Sequence, residues 1–262
     1  MRPGVSAIAF GLGALALGVD APTLHATVSL VKTHANVYDH QSRVPILDLQ
    51  ASDFIICDED QPREIAYFAD ESGPVDPLLL LDVSGSVREV LPQLANSAAD
   101  APSVLPPGDR AAVMAFSKKT LLIQEMTTKF GAVARGIQAA TSVRIGLDTD
   151  INQAVWSAAD YLHRTGGAAR RAILILTDNM HEAGIPDSLV DEQLSEAGAV
   201  PDGLLFRGPI AVPHITHPGI LGFARNTGGE VVEDSQPGGR GALMIGRIKF
   251  RCSIHFRPVE TI

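Results

Sequence analysis

Two apolar runs, each ending in an aspartate, constrain this chain more than any other feature. Leu78-Leu79-Leu80-Leu81 runs straight into Asp82. Ile173-Leu174-Ile175-Leu176 runs through Thr177 into Asp178. Short uninterrupted apolar runs bounded by turn residues fit strands buried on both faces, which means a parallel sheet covered by helices. Gly73-Pro74 and Pro77 bound the first run, and Asp178-Asn179 closes the second. In an open sheet of this kind ligands sit beyond the carboxyl ends of the strands, at the point where strand order reverses. Both aspartates fall at such ends, so the two runs predict neighbouring strands with their carboxylates in one crevice.

The residues around the aspartates are hydroxyls. Ser84 and Ser86 follow Asp82 at alternate positions, and Thr149 stands in a loop just ahead of a predicted helix. The plain reading of Asp82-Val83-Ser84-Gly85-Ser86 is a strand followed by a Ser/Gly turn and a helix N-cap. The alternative is a cation site. Asp82, Ser84, Ser86, Thr149 and Asp178 all offer oxygen, and none offers sulfur or imidazole. Such a set suits Mg²⁺, with Mn²⁺ or Ca²⁺ as alternatives.

Around these strands the pattern alternates. Helices are expected at about 87–101, 129–140, 150–164, 187–198, 220–226 and 241–250. Strands are expected at 78–83, 111–116, 121–123, 171–177, 203–206, 230–233 and 252–256. In the helix at 150–164, Ile151, Ala154, Val155, Ala158 and Leu162 share one face. Pro92 marks a kink or a late start in the first helix. The fold class is therefore α/β, a doubly wound, mostly parallel sheet with helices on both faces. A small N-terminal β module precedes it, with strands at 27–31 and 54–57 and a hairpin return at 64–68. The expected organisation is a signal peptide at 1–26, the β module at 27–72, the α/β domain at 73–251, and a C-terminal strand or tail at 252–262.

Length and charge narrow the function. A chain of 262 residues holds one sizeable core and a smaller module. A net charge of −9 argues against a general nucleic-acid binder, which needs a basic face to displace counterions. Met1-Arg2-Pro3 is positively charged, and Val5 to Gly18 carries no charge. That pattern predicts a secretory signal cleaved after Ala26 or Ala21, with an uncleaved anchor as the other reading. The protein is then exported to a periplasm, cell envelope or medium, with no integral membrane domain beyond the signal. Cys57 and Cys252 are the only cysteines, and export would let them form one disulfide; two buried thiols are the alternative.

The ordered set Asp82-Val83-Ser84-Gly85-Ser86, Thr149 and Thr177-Asp178 resembles the metal-ion-dependent adhesion site of von Willebrand factor A domains, across about residues 76–250. Pro107-Gly108-Asp109-Arg110-Ala111-Ala112-Val113 with Phe116-Ser117 is similar to that family's second-strand region. The N-terminal module, with Asp53-Phe54 and Glu59-Asp60, resembles the secreted bacterial branch called VWFA-related, described from acidobacteria. Asn226-Thr227-Gly228-Gly229 matches that branch's Gly-Gly turn. The resemblance implies hydroxyls from Ser84, Ser86 and Thr149 on a divalent cation, directly or through water. It implies that Asp82 and Asp178 act largely through waters and hydrogen bonds, and that a partner protein's Glu or Asp fills the open coordination position. Asp148 departs from the pattern where glycine is common, and Asp150 stands beside it. These extra carboxylates would strengthen cation binding or discourage an acidic partner. Asn179 also replaces a glycine.

Other functions fit less well. A phosphohydrolase of the haloacid-dehalogenase type needs a second carboxylate two residues after the first, where this chain has Ser84. A serine hydrolase needs Gly-x-Ser-x-Gly, and nucleotide binding needs a Gly-rich loop after a strand; neither occurs. The expectation is no enzyme. A structural subunit of an envelope assembly, with the cation only bracing the fold, remains the alternative. His214 with His217 offers a weak second metal pair, and His181 with Glu182 a possible rim of the crevice.

Overall fold

The computed structural model describes residues 30–41, 45–70, 73–99, 105–165, 167–180, 184–206, 219–234 and 240–258. The expected signal peptide, His181, Glu182, His214 and His217 lie outside the described residues. Among the described residues no helix is long and apolar enough to cross a membrane.

The central strand, β5, covers Val75–Asp82, after β1 (Val31–Asn36), β2 (Ile56–Asp58), β3 (Gln61–Arg63) and β4 (Ile65–Asp70). All eight β5 residues are buried. Then come α1 (Leu91–Ala99), β6 (Ala111–Phe116), β7 (Thr120–Thr127), α2 (Phe130–Ala140), α3 (Ile151–Thr165) and β8 (Arg170–Thr177). The remaining elements are α4 (Asp187–Ala197), β9 (Ala199–Phe206), α5 (Ile220–Thr227), β10 (Val231–Asp234), α6 (Arg240–Lys249) and β11 (Arg251–Phe256).

The main sheet has the order β10-β9-β8-β5-β6-β7. All its pairings are parallel except β6 with β7. The turn Ser117-Lys118-Lys119 explains the exception, because a short loop can join only antiparallel neighbours. The two Asp-terminated strands are neighbours as expected, with Leu78 opposite Ile173 and Leu81 opposite Leu176. Successive side chains point to opposite faces. Leu79, Leu81, Leu174 and Leu176 pack with Val133, Ile137 and Ile245 of α2 and α6. Leu78, Leu80, Ile173 and Ile175 pack with Val155, Ala158 and Leu162 of α3 and with Val190 and Phe223 beyond it. Two dry layers on one sheet make the doubly wound α/β fold. Each fully buried leucine contributes about 1.5–3 kcal/mol by leaving water.

Local chemistry sets several boundaries. Helix α1 begins at Leu91, later than the expected 87, so Pro92 lies in the first turn, where its missing N–H has no intrahelical partner to lose. The chain between Cys57 and Ile65 folds differently from expectation. The hairpin return is β3, not the later segment, and it is built on Glu59 and Asp60, both with positive φ (50° and 60°). Two left-handed residues in a two-residue loop match the twist of paired strands.

The later segment, β4, pairs instead with β11. The order in this second sheet is β1-β11-β4, all antiparallel. The last strand is thus the middle strand of the sheet formed by the N-terminal residues. Cys57 is exposed and Cys252 buried, and no disulfide joins the two.

Buried charge ties the two sheets together. Arg251 of β11 donates to Asp202 of β9 at 2.7 Å, with both side chains almost wholly buried. Asp202 Oδ1 also accepts the Glu230 N–H at 2.8 Å. Lys249, at the end of α6, donates to Asp109 at 2.9 Å and to the Gly73 carbonyl at 3.0 Å. Asp109 accepts the Val75 N–H as well, so it anchors the start of the central strand. Arg110 pairs with Asp76 alongside.

The Gly228-Gly229 turn is the other seam. Gly228 caps α5 in the left-handed region with φ of 79°. A Cβ there would lie 2.5 Å from His34 Nδ1, and one on Gly229 would strike the Pro201 carbonyl. Gly229→Ala is expected to cost about 2–3 kcal/mol, because the obstacle is backbone that cannot rotate away; urea unfolding measures it.

His34 also predicts a pH dependence. Burial first, then the charge of Arg251 and of Lys32, pushes its pKa down to about 3. The unfolded chain therefore binds the extra proton first. Stability is full above the ordinary histidine pKa of about 6.5 and declines as pH falls from there toward about 3. His34→Gln should flatten the unfolding free energy across that window.

Candidate metal centre

Strand β5 carries its apolar run to the edge of the sheet and ends on Asp82, whose carboxylate is fully buried. Three groups hold the turn that follows. The Val83 N–H donates to the Phe116 carbonyl at 2.8 Å, continuing the β5–β6 pairing. The Ser84 N–H turns back to Asp82 Oδ1 at 2.9 Å. Ser84 Oγ and Ser86 Oγ lie 3.2 Å apart. Ser84 is fully buried and Ser86 is half-buried, so the two hydroxyls step outward from the carboxylate toward solvent.

Strand β8 supplies the second half. Thr177 Oγ1 donates to Asp82 Oδ2 at 2.7 Å, a bond between adjacent strand ends. The same Oγ1 accepts the Asn179 N–H at 3.1 Å. Asp178 Oδ1 accepts the Met180 N–H at 3.0 Å. Its other oxygen, Oδ2, is buried with no hydrogen-bond partner among the described residues. Asn179 adopts φ of 57°, a conformation Asn tolerates where glycine is common. Its side-chain oxygen accepts the Ile220 N–H at 3.3 Å and so caps α5.

Thr149 arrives from a third element. The Gly85 N–H donates to the Leu147 carbonyl at 3.0 Å, which ties the serine turn to the loop before α3. The Asp150 N–H donates to the Ser117 carbonyl at 3.0 Å, which ties that loop to the end of β6. Thr149 lies between these two ties and is 6% exposed.

The two nearby carboxylates lead elsewhere. Asp150 Oδ1 accepts the Gln153 N–H at 2.9 Å and caps α3. Asp148 is exposed and pairs with Lys118 at 3.5 Å. They serve a helix end and a surface pair, roles the sequence reading did not foresee.

Electrostatics set this crevice apart. Burial pushes the Asp82 pKa up to about 7, against the hydrogen bonds of Ser84 and Thr177, and the charge of Asp178 adds to the rise. Two carboxylates thus share a crevice in which the described partners are neutral donors. The orphan oxygen of Asp178 and the raised Asp82 both fit a missing positive charge. The donor set is two carboxylates and three hydroxyls, all hard oxygen, which fits a divalent cation such as Mg²⁺. Among the described residues no cluster of three or more His, Cys, Asp or Glu could hold a metal, so hydroxyls must complete any site.

Thr177 stands in the Thr177-Asp178 pair of the motif, but the sequence does not show its role as the donor to Asp82. A hydroxyl between an apolar run and an aspartate was its only signal. Thr177→Val keeps the shape and leaves Asp82 Oδ2 without its donor. The expected loss is about 1–3 kcal/mol in urea unfolding without metal.

Residues 78–181 match the family described as von Willebrand factor type A domain. None of the curated proteins matches the chain in sequence. Solved structures share the fold at low identity. The conserved hypothetical protein BatB from Bacteroides thetaiotaomicron is 16% identical with a TM-score of 0.54, over 66% of this chain and 97% of that one. Manganese-loaded TRAP from Plasmodium vivax is 11% identical with a TM-score of 0.50, over 72% and 80%. The pilus adhesin SpaC from Lactobacillus rhamnosus GG is 12% identical with a TM-score of 0.53, over 68% of this chain and 30% of that one. These likenesses show the fold, a mostly parallel six-stranded sheet between helices.

Proposed function

We propose that this chain is an exported, non-catalytic binding module that engages an acidic side chain of a partner protein through a divalent cation. The observation that carries this reading is the buried Asp178 Oδ2, an anionic oxygen without a donor, in the same crevice as the buried Asp82. In this reading Ser84, Ser86 and Thr149 offer hydroxyl oxygens to the cation, directly or through water. Asp82 and Asp178 act largely through waters and hydrogen bonds. The cation is Mg²⁺, with Mn²⁺ or Ca²⁺ as alternatives. When bound, it supplies positive charge and an open coordination position for a partner's Glu or Asp.

The manganese-loaded TRAP structure and the pilus adhesin SpaC support a cation and an adhesive role for this fold. The charged start and apolar stretch at Val5 to Gly18 support export to a periplasm, envelope or medium. Asp53-Phe54, Glu59-Asp60 and the Gly228-Gly229 turn support membership of the secreted VWFA-related branch.

Titration calorimetry with Mg²⁺ or Mn²⁺ tests the site. Wild type should bind one equivalent, and Asp82→Ala should weaken binding by roughly 100-fold or more. No binding by folded wild type ends the metal reading. Capture of an envelope partner should disappear both with EDTA and with Asp82→Ala. Metal that raises the melting temperature while capture is indifferent to EDTA would show a purely structural cation. Phosphatase or esterase turnover lost in Asp82→Ala would make the protein an enzyme.

A further inference from the structure

A second charged site lies at the opposite end of the main sheet. The metal centre sits at the carboxyl ends of β5 and β8, whereas this one sits where β8 and β9 begin. Strand β8 has eight residues, so the two sites are roughly 25 Å apart. Here β1 and β11 of the smaller sheet meet the α/β domain and enclose a cavity. Its charged lining is Lys32, His34, Arg170, Arg171 and Arg251, with no carboxylate among the lining residues. It opens toward a groove of about 560 Å³ that shares Lys32 and His34. That groove has one acid, Asp191, whose Oδ2 accepts from Asn226 at 3.0 Å.

Four cationic side chains in one cavity are unusual in a protein of net charge −9. Several of their hydrogen bonds go to backbone carbonyls. Arg170 holds those of Ile248 and Lys249 at 3.1 and 2.8 Å, and Arg171 that of Ala197 at 2.7 Å. These three bonds hold the two guanidinium groups on neutral oxygens. Asp202, behind the cavity, pairs with Arg251. Arg251 is 2% exposed, and its Nε has no hydrogen-bond partner among the described residues. A fixed, buried guanidinium donor among further cations is the arrangement that binds oxyanions. Burial chiefly, and then the charges of Arg251, Lys32 and Arg170, disfavour protonation of His34 in the same cavity.

We propose that Lys32, Arg171 and Arg251 form an oxyanion-binding site at the junction of the two sheets, for a phosphate or carboxylate group. Binding there clamps β1 and β11 onto the starts of β8 and β9. The site is independent of the cation and of the partner it holds.

The full chain is titrated with inorganic phosphate and, separately, with acetate, at constant ionic strength set with chloride. His34 ring signals in NMR and the melting temperature are the readouts. Saturable shifts of the His34 ring and a higher melting temperature are expected with one anion or both. Phosphate alone identifies a phosphoryl ligand, and acetate alone a carboxylate. Lys32→Gln with Arg171→Gln should weaken the response roughly tenfold or more while Mg²⁺ binding persists. Lys32→Gln alone, at an exposed strand position, should give a smaller loss in the same direction. No saturable response to either anion overturns the proposal. So does a response that both variants leave unchanged.

Discussion

The buried carboxylate of Asp82 is the constraint around which the rest of this fold is arranged. It sits at the end of a strand with no exposed residue, so water cannot solvate it. Donors from two residues stand in for water, the N–H and hydroxyl of Ser84 and the hydroxyl of Thr177. Each requires something larger. The first needs the turn after β5 to fold back on the strand end. The second needs β8 beside β5 in the register that places Leu81 opposite Leu176. A one-residue slip would turn Thr177 away from Asp82 and exchange the side chains that fill the two buried layers. The apolar core and the polar site therefore demand the same alignment. Stability alone would favour an apolar residue at this position, since replacing a buried charge by a packed hydrophobe is often neutral or stabilising. A second carboxylate at Asp178, with one oxygen left bare, makes the arrangement less favourable still. A fold that retains both carboxylates at the carboxyl ends of its two driest strands has placed them where a cation can offset them.

At the other end of the sheet the buried carboxylates have cations beside them, although Asp109 and Asp202 each also keep an Oδ2 without a hydrogen-bond partner among the described residues. Asp202 and Asp109 are each matched by a buried cation, Arg251 and Lys249, and each carboxylate also accepts a backbone N–H. Removing one partner of such a pair leaves a buried charge and costs about 3–5 kcal/mol. Arg251 and Lys249 flank the junction between α6 and β11, so the C-terminal segment is held where it enters the smaller sheet. There β11 lies between β1 and β4. The smaller sheet therefore cannot assemble without residues from both ends of the chain. Arg247 adds a further tie, stacked 4.7 Å above the Tyr38 ring while paired with Glu230.

The parts of this structure legible in the sequence are those governed by local rules. Four-residue apolar runs, 3.6-residue helical faces and turn residues led to the α/β class and to β5, β8 and the inward residues of α3. The convergence of Asp82 and Asp178 followed from one further rule, that buried parallel strands sit side by side. What stayed hidden depends on pairing at a distance. Nothing in Val31–Asn36 or Arg251–Phe256 announces its partner, because an antiparallel pair leaves only period-2 alternation, and many partners satisfy that. Nothing local in the sequence marks Arg251, Lys249 or Asp109 as buried, since burial of a charge is decided by the partner across the fold. The donor role of Thr177 stayed hidden because it exists only when β5 lies beside β8.

The acidic residues around the crevice bear on whether a partner's carboxylate can approach. Asp148 and Asp150 both stand next to Thr149, and a net charge of −9 repels any acidic protein at long range. Geometry removes most of this conflict. Asp150 spends its charge on the α3 N-terminus, where the helix dipole and the Gln153 N–H favour an anion. Asp148 is exposed and sits beside Lys118. Exposed charges more than about 8 Å away are largely screened at physiological salt. A carboxylate on a cation acts at contact, where unit charges 4 Å apart near a surface attract by about 4 kcal/mol. The long-range repulsion slows the approach of an acidic partner, and the contact interaction decides whether it stays. Overall negative charge and recognition of an acidic residue are therefore compatible in one protein, provided a cation occupies the crevice between β5 and β8.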